Sequence, residues 1–303
     1  MRRGPSWRAA LTSGTLLLAA VAALSAPTQA SAATPVPYYL PWVGGQSTVV
    51  TTPWYQASHV GATAYDFKPN QEGLPVVAVA DGTVTAASYT NKNDVSLRYN
   101  YTTNTCATGT AASQANYVYI KHADGTESEY SHLKTVLVAN GQKVFRGQII
   151  GIVGKTGCAT GTHIHFQFAS KTYVYHFAEY PSTTFSLNNR VISQNYPALT
   201  ITARRASATT ATVQIDWTLA STYALTSSPV FVLQRQASGA TTWTTVRSLA
   251  SPAYNGSSKT YSLSYTDALS PANAATPSYR IGVQTSGGTS WSRIVHPSIG
   301  NAV

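Results

Sequence analysis

GTHIHFQF, residues 161–168, is the stretch from which the rest of the chain is read. As a β-strand it alternates. His163, His165 and Gln167 face one side, and Ile164, Phe166 and Phe168 face the other. One face is then core, and the other carries two imidazoles set about 7 Å apart along the strand. That spacing lets both rings serve one metal-bound substrate without touching. A His-x-His pair occurs in ordinary sheets as well as in metal sites, so its meaning rests on the flanking sequence.

Working back from it, Lys155-Thr156-Gly157-Cys158 reads as the turn that enters this strand. Before it, Gly141-Gln142-Lys143-Val144 and the glycines at 147, 151 and 154 mark the tight corners of a small barrel or sandwich. Residues 117–122 and 127–133 flank Ala123-Asp124-Gly125-Thr126 as a hairpin that delivers His132 near a strand end. Residues 74–84 read as a second hairpin turning at Asp81-Gly82. The polar stretch 89–115, which holds Cys106, reads as a surface loop or loose hairpin, and 33–58 as an extended aromatic lead-in. Few segments carry helical periodicity. Short runs of Val, Ile, Thr and Tyr broken by Gly, Asn, Pro and Ser predict an all-β protein.

The ends of the chain bound its compartment and partners. Basic Met1-Arg2-Arg3, an apolar run at 11–24 and the triplet Ala30-Ser31-Ala32 predict a secretory signal peptide over 1–32. Its apolar run is short for a bilayer span of about 20 residues, and no other segment could span a membrane. Three of the 20 basic residues lie in that leader, which leaves 17 against 10 acidic ones, a charge of +7. Residues 197–303 hold seven basic and two acidic side chains, against ten and eight in 33–196. A basic exported protein suits an anionic partner such as a cell-wall polymer or membrane surface. Nothing reads as a nucleic-acid-binding motif. The even count of Cys106 and Cys158 favours a disulfide in an exported protein, with cysteine zinc ligation the rival reading.

The run YSHLKTVLVANGQKVFRGQIIGIVGKTGCATGTHIHFQF, residues 130–168, resembles the core signature of the lysostaphin-type (LytM and β-lytic) zinc metallopeptidases. Those carry Tyr-x-His-Leu, a Gly-Gln-x-Val…Gly-x-x-Ile-Gly corner and a terminal His-x-His-Phe. HVGATAYDFKPNQEGLPVVAVADGTV, residues 59–84, is similar to the family's metal-binding His…Asp-Phe stretch. The likeness covers roughly 40–170. It implies one zinc ion per chain held by His59, Asp66 and His165. His132 and His163 are implied as the catalytic pair that handles the water proton and the oxyanion, with the general base left open between them. Six residues separate His59 from Asp66, wider than the compact spacing of many members, although the β-lytic branch tolerates a longer gap.

The implied activity is a secreted zinc endopeptidase of peptidoglycan peptides, either cross-bridge or stem. Alternatives are a non-catalytic wall-binding or partner-binding module on the same fold and a metallopeptidase of Gly-rich proteins. Of the other side chains, His122 is expected to line the site's edge or pack in the sheet, His176 to sit near the site rim and His296 to belong to the second domain, while Glu127 and Glu129 read as solvated. Tyr117, Tyr119, Tyr173 and Tyr175 are candidate groove walls or packing residues. Residues 33–196 are expected to form the metallopeptidase domain with its lead-in. Beyond Pro197, strand-like runs at 199–203, 212–217, 230–235, 241–246, 260–265, 279–283 and 290–295 match the count of an immunoglobulin-like sandwich. Trp217 and Leu269-Ser270-Pro271…Tyr279-Arg280-Ile281 resemble the fibronectin type III pattern, which makes 197–303 a second domain. The excess of five positive charges there and Trp243 and Trp291, read as exposed, suggest a wall or glycan contact, with a mere spacer the equal alternative.

Overall fold

The computed structural model describes residues 36–299 apart from 54, 57–58, 60–62, 101, 104, 111–112, 169–175, 183, 208–209, 223, 226–228, 251–252 and 270–275. The expected leader at 1–32 and Tyr173 and Tyr175 therefore lie outside the described residues. The described chain is all-β. The first half holds β1 (Ser47–Thr52), β2 (Thr63–Pro69), β3 (Pro75–Val77), β4 (Gly82–Ser88), β5 (Tyr99–Asn100), β6 (Thr105–Cys106) and β7 (Tyr117–Lys121). It continues with β8 (Glu127–Ser131), β9 (Leu133–Val136), β10 (Lys143–Val144), β11 (Ile149–Val153), β12 (Ile164–Phe168) and β13 (Arg190–Ile192). An eight-stranded sheet in the order β10-β4-β7-β8-β12-β2-β1-β13 packs with a three-stranded sheet, β3-β11-β9.

The alternation predicted for 163–168 decides how these sheets meet. Ile164, Phe166 and Phe168 are buried, while His165 and Gln167 stay partly open to solvent. β2 repeats the pattern, with Tyr65 and Phe67 inside and Asp66 and Lys68 on the outer face. The inner faces supply a core of Phe67, Ile120, Tyr130 and Phe166, closed by Val76, Leu133 and Ile150. Burying one such ring contributes about 1.5–3 kcal/mol relative to leaving it exposed.

Two expectations need correction. The lead-in is not merely extended: Tyr38, Leu40, Trp42 and Val50 are core residues, and β1 pairs with both β2 and β13. Its aromatic content is the content of a packed edge. Nor do 74–84 form a hairpin, since β3 pairs with β11 whereas β4 pairs with β7 and β10. Asp81-Gly82 is a corner between sheets. Asp81 accepts the Arg146 N–H at 2.7 Å with one carboxylate oxygen and the Thr222 N–H at 2.6 Å with the other, which ties it to two distant segments. The hairpin of β7 and β8 does form, with Tyr117 opposite Ser131 and Tyr119 opposite Glu129.

The second half comprises β14 (Leu199–Arg205), β15 (Thr212–Ala220), β16 (Val230–Gln236), β17 (Thr244–Ala250), β18 (Thr260–Ala268), β19 (Ser278–Thr285), β20 (Gly288–Trp291) and β21 (Ser298–Ile299). They make two four-stranded sheets, β18-β15-β14-β21 and β17-β16-β19-β20. Trp217, Phe231, Tyr279 and Ile281 fill the space between them. Phe145, from the corner between β10 and β11, is fully buried in this same cluster. The chain behind that corner is pinned at Gly147, whose φ of +79° suits glycine and where a Cβ would lie 2.6 Å from Pro197 N. Trp243 and Trp291 are half-buried rather than exposed. The Arg280 guanidinium lies over both rings, at 4.4 and 4.1 Å.

Candidate active site

Sheet register brings the predicted residues together. On the outer face, Tyr117, Ser131, His165, Asp66 and Thr52 are successive cross-strand partners, forming one row over five strands. The neighbouring row reads Tyr119, Glu129, Gln167, Ala64. His163 precedes β12 and bridges to Gly154. His59 arrives from the loop before β2 and is 1% exposed.

His59 Nε2 lies 3.1 Å from His165 Nδ1 and 3.2 Å from Asp66 Oδ1, and His165 Nδ1 lies 3.2 Å from the same carboxylate oxygen. These three donor atoms form a nearly equilateral triangle. His165 Nε2 faces the Gln167 side-chain oxygen at 3.2 Å. That partner places the ring proton on Nε2 and leaves the Nδ1 lone pair aimed into the triangle. Gln167 in turn donates to Glu129 Oε2 at 2.6 Å, and Ser131 donates to Glu129 Oε1 at 2.6 Å. The orientation of His165 is thus fixed by a carboxylate two groups away.

His132 and His163 sit beside the triangle with ring centroids 4.7 Å apart. His132 Nδ1 donates to the Thr156 carbonyl at 2.7 Å and His163 Nδ1 to the Gly161 carbonyl at 2.8 Å. A carbonyl only accepts, so each neutral ring presents an unprotonated Nε2. His163 Nε2 is 3.6 Å from Asp66 Oδ1. His132 has φ +66°, left-handed backbone at a non-glycine residue between β8 and β9. Burial, and then the nearby imidazoles His163 and His165, push His132 down to about 3. For Asp66, burial acts upward, but the imidazoles of His165, His59 and His163 packed around it outweigh burial and hold the carboxyl well below the usual carboxylate range.

The triangle opens into a cavity of about 790 Å³ that Tyr99, Glu129, Ser131 and Cys158 also line. A second cavity of about 470 Å³ shares Thr51, Thr160 and His163 with it and runs on past Lys68 and Glu72. The two cavities adjoin at His163. The wall at Cys158 is pinned by a disulfide to Cys106, with Cα atoms 5.8 Å apart. Glu129 was missed as a site residue because a Glu-x-Glu strand reads as solvated, and Gln167 was placed on the correct face without a role. Pairing β8 with β12 is the signal that joins them. His122 lies elsewhere, buried, with Nδ1 2.8 Å from the Asp81 carbonyl and Nε2 2.8 Å from Ser128 Oγ. His176 is exposed, and His296 sits 3.2 Å from Ser278 in the second half.

Two imidazole nitrogens and one carboxylate oxygen, flanked by two further imidazoles beside a cavity, make a set that could hold a metal ion. Residues 61–175 match the model of Peptidase family M23, a segment that holds Asp66, His132, His163 and His165 and begins just after His59. The chain is 35% identical over 96 residues to peptidoglycan DD-endopeptidase ShyC of Vibrio cholerae, covering 32% of this chain and 17% of that protein. It is 34% identical over 105 residues to DD-carboxypeptidase/endopeptidase Mpg of Neisseria meningitidis serogroup B, covering 35% and 19%. The catalytic domain of lysostaphin from Staphylococcus simulans is 26% identical with a TM-score of 0.28, covering 45% of this chain and 79% of that one. The family match and the curated relatives support an M23 peptidase segment. The chain spans a fifth or less of the length of these curated relatives.

Proposed function

We propose that the protein is a zinc-dependent endopeptidase that hydrolyses peptide bonds of bacterial peptidoglycan. The observation that carries this reading is the donor triangle with His132 and His163 beside it. Its edges of 3.1–3.2 Å compare with about 3.3 Å between ligands of a tetrahedral ion at ordinary zinc–nitrogen and zinc–oxygen distances. The donor set also fits in kind, two neutral imidazoles and a carboxylate. His59 Nε2, Asp66 Oδ1 and His165 Nδ1 would hold one zinc per chain. When bound, zinc supplies Lewis acidity toward a water and a peptide carbonyl.

The chain's own residues do the rest. One of the two unprotonated Nε2 atoms, on His132 or His163, takes the proton of the attacking water and, as imidazolium, hydrogen-bonds the developing oxyanion, while the other Nε2 accepts the water's second O–H and orients it. The proton then returns to the departing amine. Cavities adjoining at His163 would give the peptide room on both sides of the cleaved bond, as an endopeptidase needs.

We assign the remainder as follows. Residues 1–32 direct export, 33–196 form the catalytic domain, and 197–303 form a fibronectin type III-like domain whose basic excess contacts an anionic wall polymer. The test is release of new amino termini from purified peptidoglycan, with and without a zinc chelator. Chelator-sensitive release is expected. Metal-replete protein that releases none from peptidoglycan but cuts Gly-rich proteins would move the substrate. Protein that neither binds zinc nor cuts would make this a binding module.

A further inference from the structure

A cavity of about 490 Å³ lies apart from the catalytic groove, at the seam where Arg146 of the first half meets Arg293 of the second. Each guanidinium is held on a tyrosine ring. Arg146 lies 4.1 Å from the centroid of Tyr39, and Arg293 lies 5.2 Å from that of Tyr196. Tyr196 is itself fixed, because a Cβ at Gly44 would lie 2.4 Å from its ring. Arg146 is anchored through its backbone to Asp81. Stacking on an aromatic face orients a guanidinium while leaving its N–H fork free for an oxyanion.

Neither arginine is ion-paired among the described residues, unlike Arg204 with Asp216 at 3.8 Å and Arg235 with Asp267 at 2.8 Å. Glu179, in the same wall, feels the charge of Arg146 but makes no direct ion pair with either arginine among the described residues. Its Oε1 accepts the Leu40 and Gln194 N–H groups at 3.0 and 3.2 Å, and its Oε2 is buried without a partner. Arg293 makes one 3.4 Å contact, to the Gln194 side-chain oxygen. Two oriented guanidiniums without a direct ion pair among the described residues thus line a cavity whose acid, Glu179, spends one oxygen on backbone N–H groups.

We propose that this seam cavity binds an oxyanion, phosphate or carboxylate, carried on a polyanionic chain, with Arg146 and Arg293 as its donors. This deepens the anionic-polymer contact proposed above by giving it a place. The contact belongs to the seam between the two halves and not to the second half alone.

The test is titration calorimetry of the mature chain with three probes: poly(glycerol phosphate), poly-glutamate and inorganic phosphate. The Arg146→Gln/Arg293→Gln variant is compared with Arg247→Gln/Lys259→Gln, which removes the same charge from exposed positions elsewhere. The seam variant should lose about tenfold or more in affinity for one polymer, and the distal variant less than about twofold. Whichever polymer responds names the source of the oxyanion. Equal losses in both variants, no binding by wild type, or inorganic phosphate binding as tightly as either polymer would each overturn the proposal. Arg146→Lys/Arg293→Lys keeps the charge and loses the fork, so it should fall between wild type and the Gln variant even if the latter folds poorly. Hydrolysis of a small soluble wall peptide by the seam variant should match wild type. Failure of wild type to hydrolyse anything would sink the endopeptidase reading and leave this one standing.

Discussion

His165 and Gln167 differ in what the sequence could say of them. His165 belongs to a motif, and its place two residues after His163 already put it on the outer face. Gln167 acquires its role only because β8 pairs with β12 and sets Glu129 across from it, a non-local fact. Gln167→Leu should therefore lower metal affinity about 10–100-fold with the fold intact, whereas Gln167→Glu, which can still accept from His165, should recover much of it. Competition with a chromogenic chelator measures both. His165→Ala and Asp66→Ala should lose metal and turnover together. His132→Ala and His163→Ala should keep metal and lose about 10²–10⁴-fold in kcat, and full metal occupancy in either of the first two would overturn the ligand assignment.

Among the elements, those that could be read were the ones with a local signal. The β7–β8 hairpin has Asp124-Gly125 between two alternating runs, and it formed. The same dipeptide class at Asp81-Gly82 misled, because both flanking strands find partners far away in sequence. His122, at the end of β7, gives this packing a pH signature. Burial pushes the ring down, against the upward pull of the Asp81 carbonyl and nearby acids. A folded pKa below the unfolded value means stability that is present above about pH 6.5. It is lost as pH falls through the folded value. Thermal midpoints should drop between pH 7 and 5, and His122→Asn should flatten that slope while lowering the plateau. The disulfide acts on a second element, the loop of 89–115. Closing 52 residues contributes about 4 kcal/mol on the chain-entropy model. Reduction should lower the midpoint accordingly and raise KM more than it lowers kcat, since Tyr99 and Cys158 wall the groove.

At the scale of the molecule, the sheets of the first half and those beginning at Leu199 are joined by a contact that has no sequence signal. Nothing in the alternation of β10 or β11 announces that Phe145 leaves its own half to be buried among Trp217, Phe231 and Tyr279. A lone aromatic at a corner carries no period. Asp81 adds a hydrogen bond across the same joint, to Thr222. Phe145→Ala should cost about 3–5 kcal/mol, measured by urea unfolding. The loss should appear as one transition for the whole chain. Two separated transitions in the wild type would mean that the halves unfold independently and that the corner is not a joint.

One consequence of the one-sided sheet concerns sequence parity. Along 163–167 the odd positions carry the chemistry and the even ones the packing, whereas on β2 the even positions 66 and 68 face out. A library confined to positions 163, 165, 167, 66 and 68 could remodel the groove without entering the core. Deleting a single residue within β12 would exchange the parities, sending phenyl rings into water and imidazoles into hydrocarbon in one stroke.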